Sequence, residues 1–395
     1  MTRILLATVA AATLGTAAAS AQAPVNVGIL LGFTGPLETI MPNMATSAEL
    51  AFREASESGL LPAAITPVRA DSTCVDAAAA TAAAERLVTA DKVAAIMGAD
   101  CSGVTMAVLQ NVAIPNGVPV ISPSATSPAL TSVDDQGLFF RTAPSDARQG
   151  EVLAAIMKTR GITDVAVTYT NNDYGKGLAD SFAAAFAAGG GTVSISAPHD
   201  DGKADYAAEV AALQASGAKT LAVFGYIDQG GRGIVQASLD TGAFDNFLFG
   251  DGMHGTSIID AIGSELDGKV VGVLPGSDSA GRAKFAELAT AAGLDPTSTY
   301  TGESYDAAAL IALAMGAAGA TDRAAIAGKI MEVANAPGEK ILPGELAKGL
   351  QILKDGGDID YSGATDIELA GPGEAAGTYR EFVIDGGKID YVAVH

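Results

Sequence analysis

The stretch VAAIMGADCSGVTMAVLQNVAIPNGVPVISP, Val93–Pro123, decides the fold. It begins with a short apolar run, VAAIMGA, and passes through Asp100, Cys101 and Ser102. It continues as GVTMAVLQNVAI, which reads as a helix, and ends on a second apolar run, VPVISP. A strand that is apolar at nearly every position, rather than at alternate ones, is buried on both faces. A helix joining two such strands is the crossover of a parallel sheet, and right-handed crossovers put helices on both sheet faces.

The rhythm extends in both directions. Upstream lie the strand VNVGILL (Val25–Leu31), the turn GFTGP, a helix from about Thr46 to Ser58, the strand ITPVRAD and the helix DAAAATAAAERLVTA. Downstream, LFFRTAPSDARQG (Leu138–Gly150) breaks the pattern: a short strand is followed by a capping APSD and a new helix at about Ala147. The alternation then resumes with DVAVTYT, YGKGLADSFAAAFAAGG, TVSISAP, YAAEVAALQASG, TLAVFGY and FLFGDG. After Gly268 the pattern is read as mostly helical through Lys354. The C-terminal GTYREFVID and KIDYVAV form a hairpin about Gly386-Gly387. A chain that fills one sheet, fills a second and then returns makes two hinged lobes with a working cleft between them. Crossings are expected at Arg141–Asp146, at Val270–Gly276 and near Tyr361–Asp366.

The N-terminus, MTRILLATVAAATLGTAAASAQAPVNV, carries one basic residue, Arg3, then a small-and-apolar run and the small-x-small pattern Ala19-Ser20-Ala21. It reads as a secretory leader, residues 1–21, cut after Ala21, with export to the periplasm. About 370 residues remain, too many for one comfortable core, so two domains are expected.

Cys74 and Cys101 are the two cysteines. In an oxidising compartment a disulfide is favoured over free thiols, and closing that loop stabilises by about 3–4 kcal/mol in the chain-entropy model. His199, His254 and His395 do not stand at zinc-ligand spacing from either cysteine, so no metal and no cofactor is expected. The 23 basic against 45 acidic residues, a formal charge of −22, argue against nucleic acid and anionic membranes as partners. Like charge also suppresses self-association, and a monomer is expected.

In a parallel sheet ligands sit at the carboxyl ends of strands. Those ends carry Asp100-Cys101-Ser102, the turn Ser122-Pro123-Ser124-Ala125-Thr126, Asn171-Asn172-Asp173-Tyr174, Tyr226, and Gly250-Asp251-Gly252. Ser102 and the Ser124–Thr126 turn suit a carboxylate, because helix-start N–H groups lack partners. Asp251, a single acid between two glycines, suits an ammonium group, and Tyr174 and Tyr226 could close over the ligand from the second lobe. Singly, each is also a cap, a turn former or a packing residue. Their joint position makes the site.

Enzyme motifs are missing: there is no G-x-S-x-G, no H-E-x-x-H and no P-loop lysine. Gly189–Gly191 precede a strand, the reverse of a dinucleotide fingerprint. No catalytic residue is assigned. His199 reads as a solvated loop histidine, and His254 is kept as a possible ligand contact. An α/β hydrolase using either as base is the rival from another class.

The segments VGILLGFTGP, DSTCVD, GADCSG, VISPSATSPALT, NNDYGKGLA, GYIDQGG, FGDG and IDYSGAT together resemble the leucine/isoleucine/valine-binding protein family, the type I periplasmic receptors of ABC importers. The resemblance covers essentially the whole mature chain. It implies an α/β fold of two lobes, each a mostly parallel sheet flanked by helices, with three hinge crossings. The lobes would comprise residues 22–143 plus 275–360, and 144–274 plus 361–395. It implies that Cys74 and Cys101 are joined. It also implies that Ser102, Ser124 (through its backbone), Ala125 and Thr126 hold the α-carboxylate. Asp251, one methylene shorter than the family's usual glutamate, would take the α-ammonium beside Tyr174 and Tyr226. The expected function is a non-enzymatic receptor that closes on an aliphatic amino acid and presents it to a membrane permease. Alternatives are another small solute (an amide, a urea-like compound or an aromatic acid) and a periplasmic sensory receptor. After Gly35-Pro36, where branched-chain binders carry an aromatic, stand Leu37, Glu38, Ile40 and Met41.

Overall fold

A computed structural model of the protein describes residues 23–395. The expected leader and its cut after Ala21 lie outside the described residues. Strands β1 (Val25–Leu31), β2 (Ile65–Asp71), β3 (Ile96–Gly98), β4 (Val120–Ser122) and β5 (Phe139–Pro144) begin the first sheet. Strands β6 (Asp164–Thr170), β7 (Thr192–His199), β8 (Thr220–Phe224), β9 (Asn246–Phe249) and β10 (Val270–Pro275) begin the second. The C-terminal third adds β11 (Glu339–Ile341), β12 (Ile359–Tyr361), β13 (Leu369–Ala370), β14 (Glu374–Ala375), β15 (Tyr379–Asp385) and β16 (Lys388–Val394).

The first sheet runs β13-β14-β5-β4-β3-β1-β2 and the second β16-β15-β10-β9-β8-β6-β7. The common parts, 5-4-3-1-2 and 10-9-8-6-7, are one winding used twice, and every pair within them is parallel. The lobes are therefore two copies of one α/β architecture. The strands read as continuously apolar, β3, β4 and β8, are fully buried. The hairpin between β15 and β16 turns on Gly386 and Gly387, whose φ values of 57° and 71° are what a two-residue I′ turn requires.

Three expectations are corrected. The first helix covers Met41–Glu57 rather than starting near Thr46, because Pro42 in its first turn has its φ already set for a helix. The stretch after Gly268, read as helical, opens with β10, a central strand between β9 and β15. The third crossing is not at Tyr361–Asp366. Asp306, buried in the helix Thr301–Ala318, accepts hydrogen bonds from Tyr361 Oη (2.8 Å), Ala364 N (2.7 Å), Thr365 N (2.9 Å) and Thr365 Oγ1 (2.7 Å). That clamp keeps the segment on the first lobe, where β13 and β14 extend the first sheet. The chain crosses between Ala375 and Tyr379, so the stretch 361–375 does not belong to the second lobe as expected.

The helix Thr301–Ala318 is buried from Thr301 to Met315, as an all-round apolar helix at the centre of a lobe must be. No single helix among the described residues is long and apolar enough to cross a membrane. Two acids ride in this core helix. Burial raises Glu303 to about 7 and Asp306 to about 6. A raised carboxyl contributes stability that is present below its unfolded value and is lost as pH rises through its folded value. These two carboxyls therefore withdraw stability as the pH rises from about 4 to about 7. Glu303→Gln should remove part of that loss, stabilising by about 2–3 kcal/mol at alkaline pH and by nothing near the ordinary glutamate value. Parallel melting curves for the variant and the parent would refute this role of Glu303.

Candidate functional site

Equivalent ends of the two sheets face each other across the cleft. On the first lobe, β3 ends at Gly98 and the chain turns through Asp100 and Cys101 into the helix that starts at Ser102. Cys101 is bonded to Cys74, with the two Cα atoms 5.1 Å apart, so the β3 end is tied to the loop after β2. Asp100 lies beside these sulfurs, but two sulfurs bonded to each other offer no thiolate to a metal. Asp100 is buried and accepts from Ser72 Oγ at 2.5 Å and Gly32 N at 3.1 Å; burial raises its carboxyl. Gly32 has to be glycine, because a Cβ there would meet the Asp100 carboxylate at 2.9 Å and the Cys74 side chain at 3.1 Å.

The β4 end forms the second wall. Ser122 Oγ donates to Ala99 O (2.5 Å) and accepts from Ala125 N (3.0 Å), while Ser124 Oγ donates to Asp100 O (3.0 Å). Arg141, fully buried, holds this turn from behind: its Nη1 donates to Ala125 O and Ser127 O, both at 3.0 Å, and its Nη2 pairs with Glu374 at 2.6 Å. Ser102 Oγ accepts from Ser127 N at 3.1 Å, which orients the hydroxyl and leaves its proton to give.

From the second lobe come Tyr174, Tyr226 and Asp251. The two rings stack with centroids 5.3 Å apart and planes 15° from parallel. Tyr226 Oη accepts from Asn172 Nδ2 at 3.2 Å. Asp251, 2% exposed, receives Tyr174 Oη at 2.7 Å and Gln149 Nε2 at 3.0 Å on Oδ1, and Tyr300 Oη on Oδ2. Tyr300 precedes the core helix of the first lobe, so its hydroxyl crosses the cleft. It does so from a left-handed backbone, φ 59°, unusual for a residue with a Cβ. Burial and the Asp251 charge push both the Tyr174 and the Tyr300 hydroxyl well above the usual phenol range, so both remain donors.

These groups border a narrow cavity between the lobes. Ser102, Ser124, Tyr174, Tyr226 and Asp251 all line it, together with Asp100, Tyr300 and an apolar side made by Leu37, Ile40 and Met41. Ala125 and Thr126 do not line it; they are fully buried one layer behind. Glu38, beside the apolar side, is exposed and is not part of it.

Neither histidine takes part. His254 borders a separate interlobe cavity, with Nδ1 at 2.7 Å from Thr299 Oγ1 and Nε2 at 3.0 Å from Tyr391 Oη. The Thr299 hydroxyl donates to His254 O at 3.0 Å, so the ring proton sits on Nδ1 and Nε2 accepts. Burial lowers His254 to about 3, and no ligand role remains to it in the cavity beside Asp251. His199 is 2% exposed rather than solvated, packed edge-on against Tyr206, and burial lowers it to about 4.

Reading the sequence missed Tyr300, Gln149 and Arg141's part in the turn. Gln149 and Arg141 lie in or beside LFFRTAPSDARQG, which signalled only a break between units. Tyr300, in TSTYTGES, follows no strand. A second interlobe contact was equally silent. Asp228 Oδ2 accepts from Thr39 N (3.0 Å) and Thr39 Oγ1 (2.7 Å), Asp228 N donates to Pro36 O (3.1 Å), and Ser257 Oγ braces Asp228 Oδ1 (2.8 Å).

The family model described as periplasmic binding protein matches residues 24–344. The chain is 30% identical to Leu/Ile/Val-binding protein homolog 3 of Brucella melitensis, over 83% of this chain and 88% of that one. Its fold resembles the branched-chain amino acid transporter substrate binding protein LivJ of Streptococcus pneumoniae in complex with isoleucine. The TM-score is 0.77 at 23% identity, covering 94% of this chain and 99% of that one. It also resembles an R. palustris ABC transporter solute binding protein in complex with benzoate, with a TM-score of 0.75 at 18% identity, covering 94% and 96%.

The Asp228 contact generates a prediction about closure. Asp228→Ala removes the two hydrogen bonds from Thr39, which exist only while the lobes are together. Their partial exposure discounts them to about 1.5 kcal/mol in all, roughly tenfold in the balance of open and closed forms. Small-angle scattering should show a larger radius of gyration for the variant at unchanged helix content. An unchanged radius would show that this contact does not set closure.

Proposed function

The chain belongs to the periplasmic binding protein family, and from that premise we propose that it is the solute receptor of an ABC importer, closing its two lobes on a zwitterionic, aliphatic amino acid. One observation carries the choice of ligand: the cavity is lined by two carboxylates, Asp100 and Asp251, and by no lysine, arginine or histidine. A buried carboxylate without a cation calls for one from the ligand. An aromatic acid, the ligand class of the R. palustris neighbour, would bring a further anion to a site already negative. An ammonium group on Asp251 answers the deficit.

The rest of the lining fits the remaining parts of such a molecule. The ligand carboxylate meets neutral donors: the Ser102 hydroxyl and the first N–H groups of a helical run, Ser102–Asn116, which continues through a π turn at Leu109–Ala113. Ser124 adds its turn backbone. Thr126 and Ala125 support that turn from behind and reach the ligand only through its shift. Leu37, Ile40 and Met41 offer the aliphatic surface for a side chain.

Binding then works by population shift. Ligand contacts to Ser102 on one lobe and Asp251 on the other exist together only in the closed form, so the ligand favours closure by the sum of those contacts. A membrane permease would take the closed form as its partner. Export through the residue 1–21 leader and a cleavage after Ala21 belong to the same proposal, as do a monomeric state and a role without catalysis.

A thermal-shift screen tests the ligand class. L-Leucine, L-isoleucine or L-valine at about 100 times its dissociation constant should stabilise by about 2.7 kcal/mol, a rise of a few degrees. Benzoate and 4-hydroxybenzoate should leave the melting temperature in place. Asp251→Ala should abolish the amino-acid response with its circular dichroism intact. A response to the aromatic acids alone would overturn the assignment.

A further inference from the structure

Behind Asp251 lies a second buried acid that the reading above does not use. Asp146, fully buried, opens the helix Asp146–Thr159 at the first crossing, where its own N–H donates to Thr126 O of the opposite lobe at 2.8 Å. Gln149, one turn on, gives its amide to both acids, with Nε2 2.8 Å from Asp146 Oδ1 and 3.0 Å from Asp251 Oδ1. Its Oε1 accepts from Asp251 N at 3.1 Å, so Gln149 cannot turn round without losing all three bonds.

The two acids differ in what surrounds them. Asp251 collects three donors, Tyr174, Gln149 and Tyr300, as an anion requires. Asp146 has one, and its Oδ2 is buried with no partner. The neighbouring Thr126 Oγ1, close enough to act on the Asp146 carboxyl, is a second buried atom with no partner. A carboxylate oxygen can only accept. The Thr126 hydroxyl can give its proton to Asp146 Oδ2 whether or not that carboxyl is ionised, so what separates the two acids is the donor set: three donors on Asp251, against the one Gln149 amide that Asp146 must share with it.

We propose that Asp146 is a positioning residue that holds a proton in the empty receptor, leaves Asp251 as the single anion of the pair, and releases that proton to solvent when a ligand ammonium docks on Asp251. This rests on the ammonium reading of Asp251 given above.

The groups facing Asp146 agree with this. Asp251 opposes its ionisation, and burial adds to that, so its carboxyl lies well above the ordinary aspartate range. Arg141 favours its ionisation, but that guanidinium is paired with Glu374 and committed to the Ser122–Ser127 turn. Tyr174 and Tyr379 feel the Asp146 charge and are themselves kept neutral. A ligand cation on Asp251 is thus the one new positive charge the pair can receive. It lowers the cost of ionising Asp146, and the proton leaves. Because the bound form holds fewer protons, affinity must rise with pH while Asp146 is protonated in the empty receptor. Two acids that share one proton would also discriminate by charge: a neutral amide in place of the ammonium gains nothing from the release.

Two measurements on the wild-type chain decide this. Carbon-13 NMR of aspartate-labelled, ligand-free protein, assigned through the backbone, should show the Asp146 carboxyl titrating far above the ordinary range. A carboxyl already ionised at about pH 5 overturns the proposal, whatever the ligand is. Calorimetry with L-leucine in phosphate and in Tris should then give different apparent heats, corresponding to release of up to one proton. The association constant should climb towards tenfold per pH unit across the titration, and Asp146→Asn should flatten that slope while still binding. Equal heats in both buffers from about pH 5 to about pH 8 would overturn the coupling. Failure of L-leucine and its relatives to bind would count against the ligand reading alone, because the NMR titration decides the proton without any ligand.

Discussion

A carboxylate can be buried only if donors meet it, and Asp251 is met from both sides of a cleft. Tyr174 and Gln149 reach it within the second lobe, and Tyr300 reaches it from the first. That convergence links the chemistry of the site to the mechanics of the fold. Here Asp251 is buried and its side-chain donors are all neutral, and separating the lobes would withdraw Tyr300 from Oδ2. Hydrogen bonds from phenols and an amide lessen the cost of burying an anion but do not cancel its charge. The closed form is therefore short of one positive charge at a defined place.

The architecture explains why that place exists. Two sheets wound in the same order present equivalent ends to each other, and residues that leave those ends line the cavity from both lobes. The first lobe spends its ends on hydroxyls and helix-start N–H groups, braced by the Cys74–Cys101 bond and by Arg141 behind the β4 turn. The second spends its ends on two stacked phenols and an acid. The polarity of the cleft, donors on one wall and an anion on the other, follows from which lobe supplied which turn.

Much of this was legible in the sequence because it depended on local pattern. Apolar runs such as Ala166–Val167 in DVAVTYT and Leu221–Val223 in TLAVFGY announce strands buried on two faces, and the residues after them could be read as a site with no structure in hand. The parts that were not legible depend on contacts between distant segments. The clamp by Asp306 on residues 361–365 moved a lobe crossing by more than a turn of chain, and nothing within IDYSGATD itself signals its partner. Tyr300 is placed by a left-handed backbone ahead of a helix, not by a strand end. Thr126 shows the opposite failure. Its motif is prominent, yet its hydroxyl is buried without a partner and does not line the cavity.

The same layering accounts for how closure can be sensitive to ligand without being strong in itself. The outer contact, Asp228 with Thr39, is partly exposed and contributes little net energy because water competes for it. The inner contact, Tyr300 with Asp251, is dry but joins a neutral group to an anion that would be better served by a cation. On the reading proposed above, a ligand that supplies an ammonium to Asp251 and a carboxylate to the Ser102 wall would correct the charge deficit and span both lobes, so its binding energy would appear where closure needs it. On that reading a molecule with only one of those charges meets one wall alone and favours the closed form less.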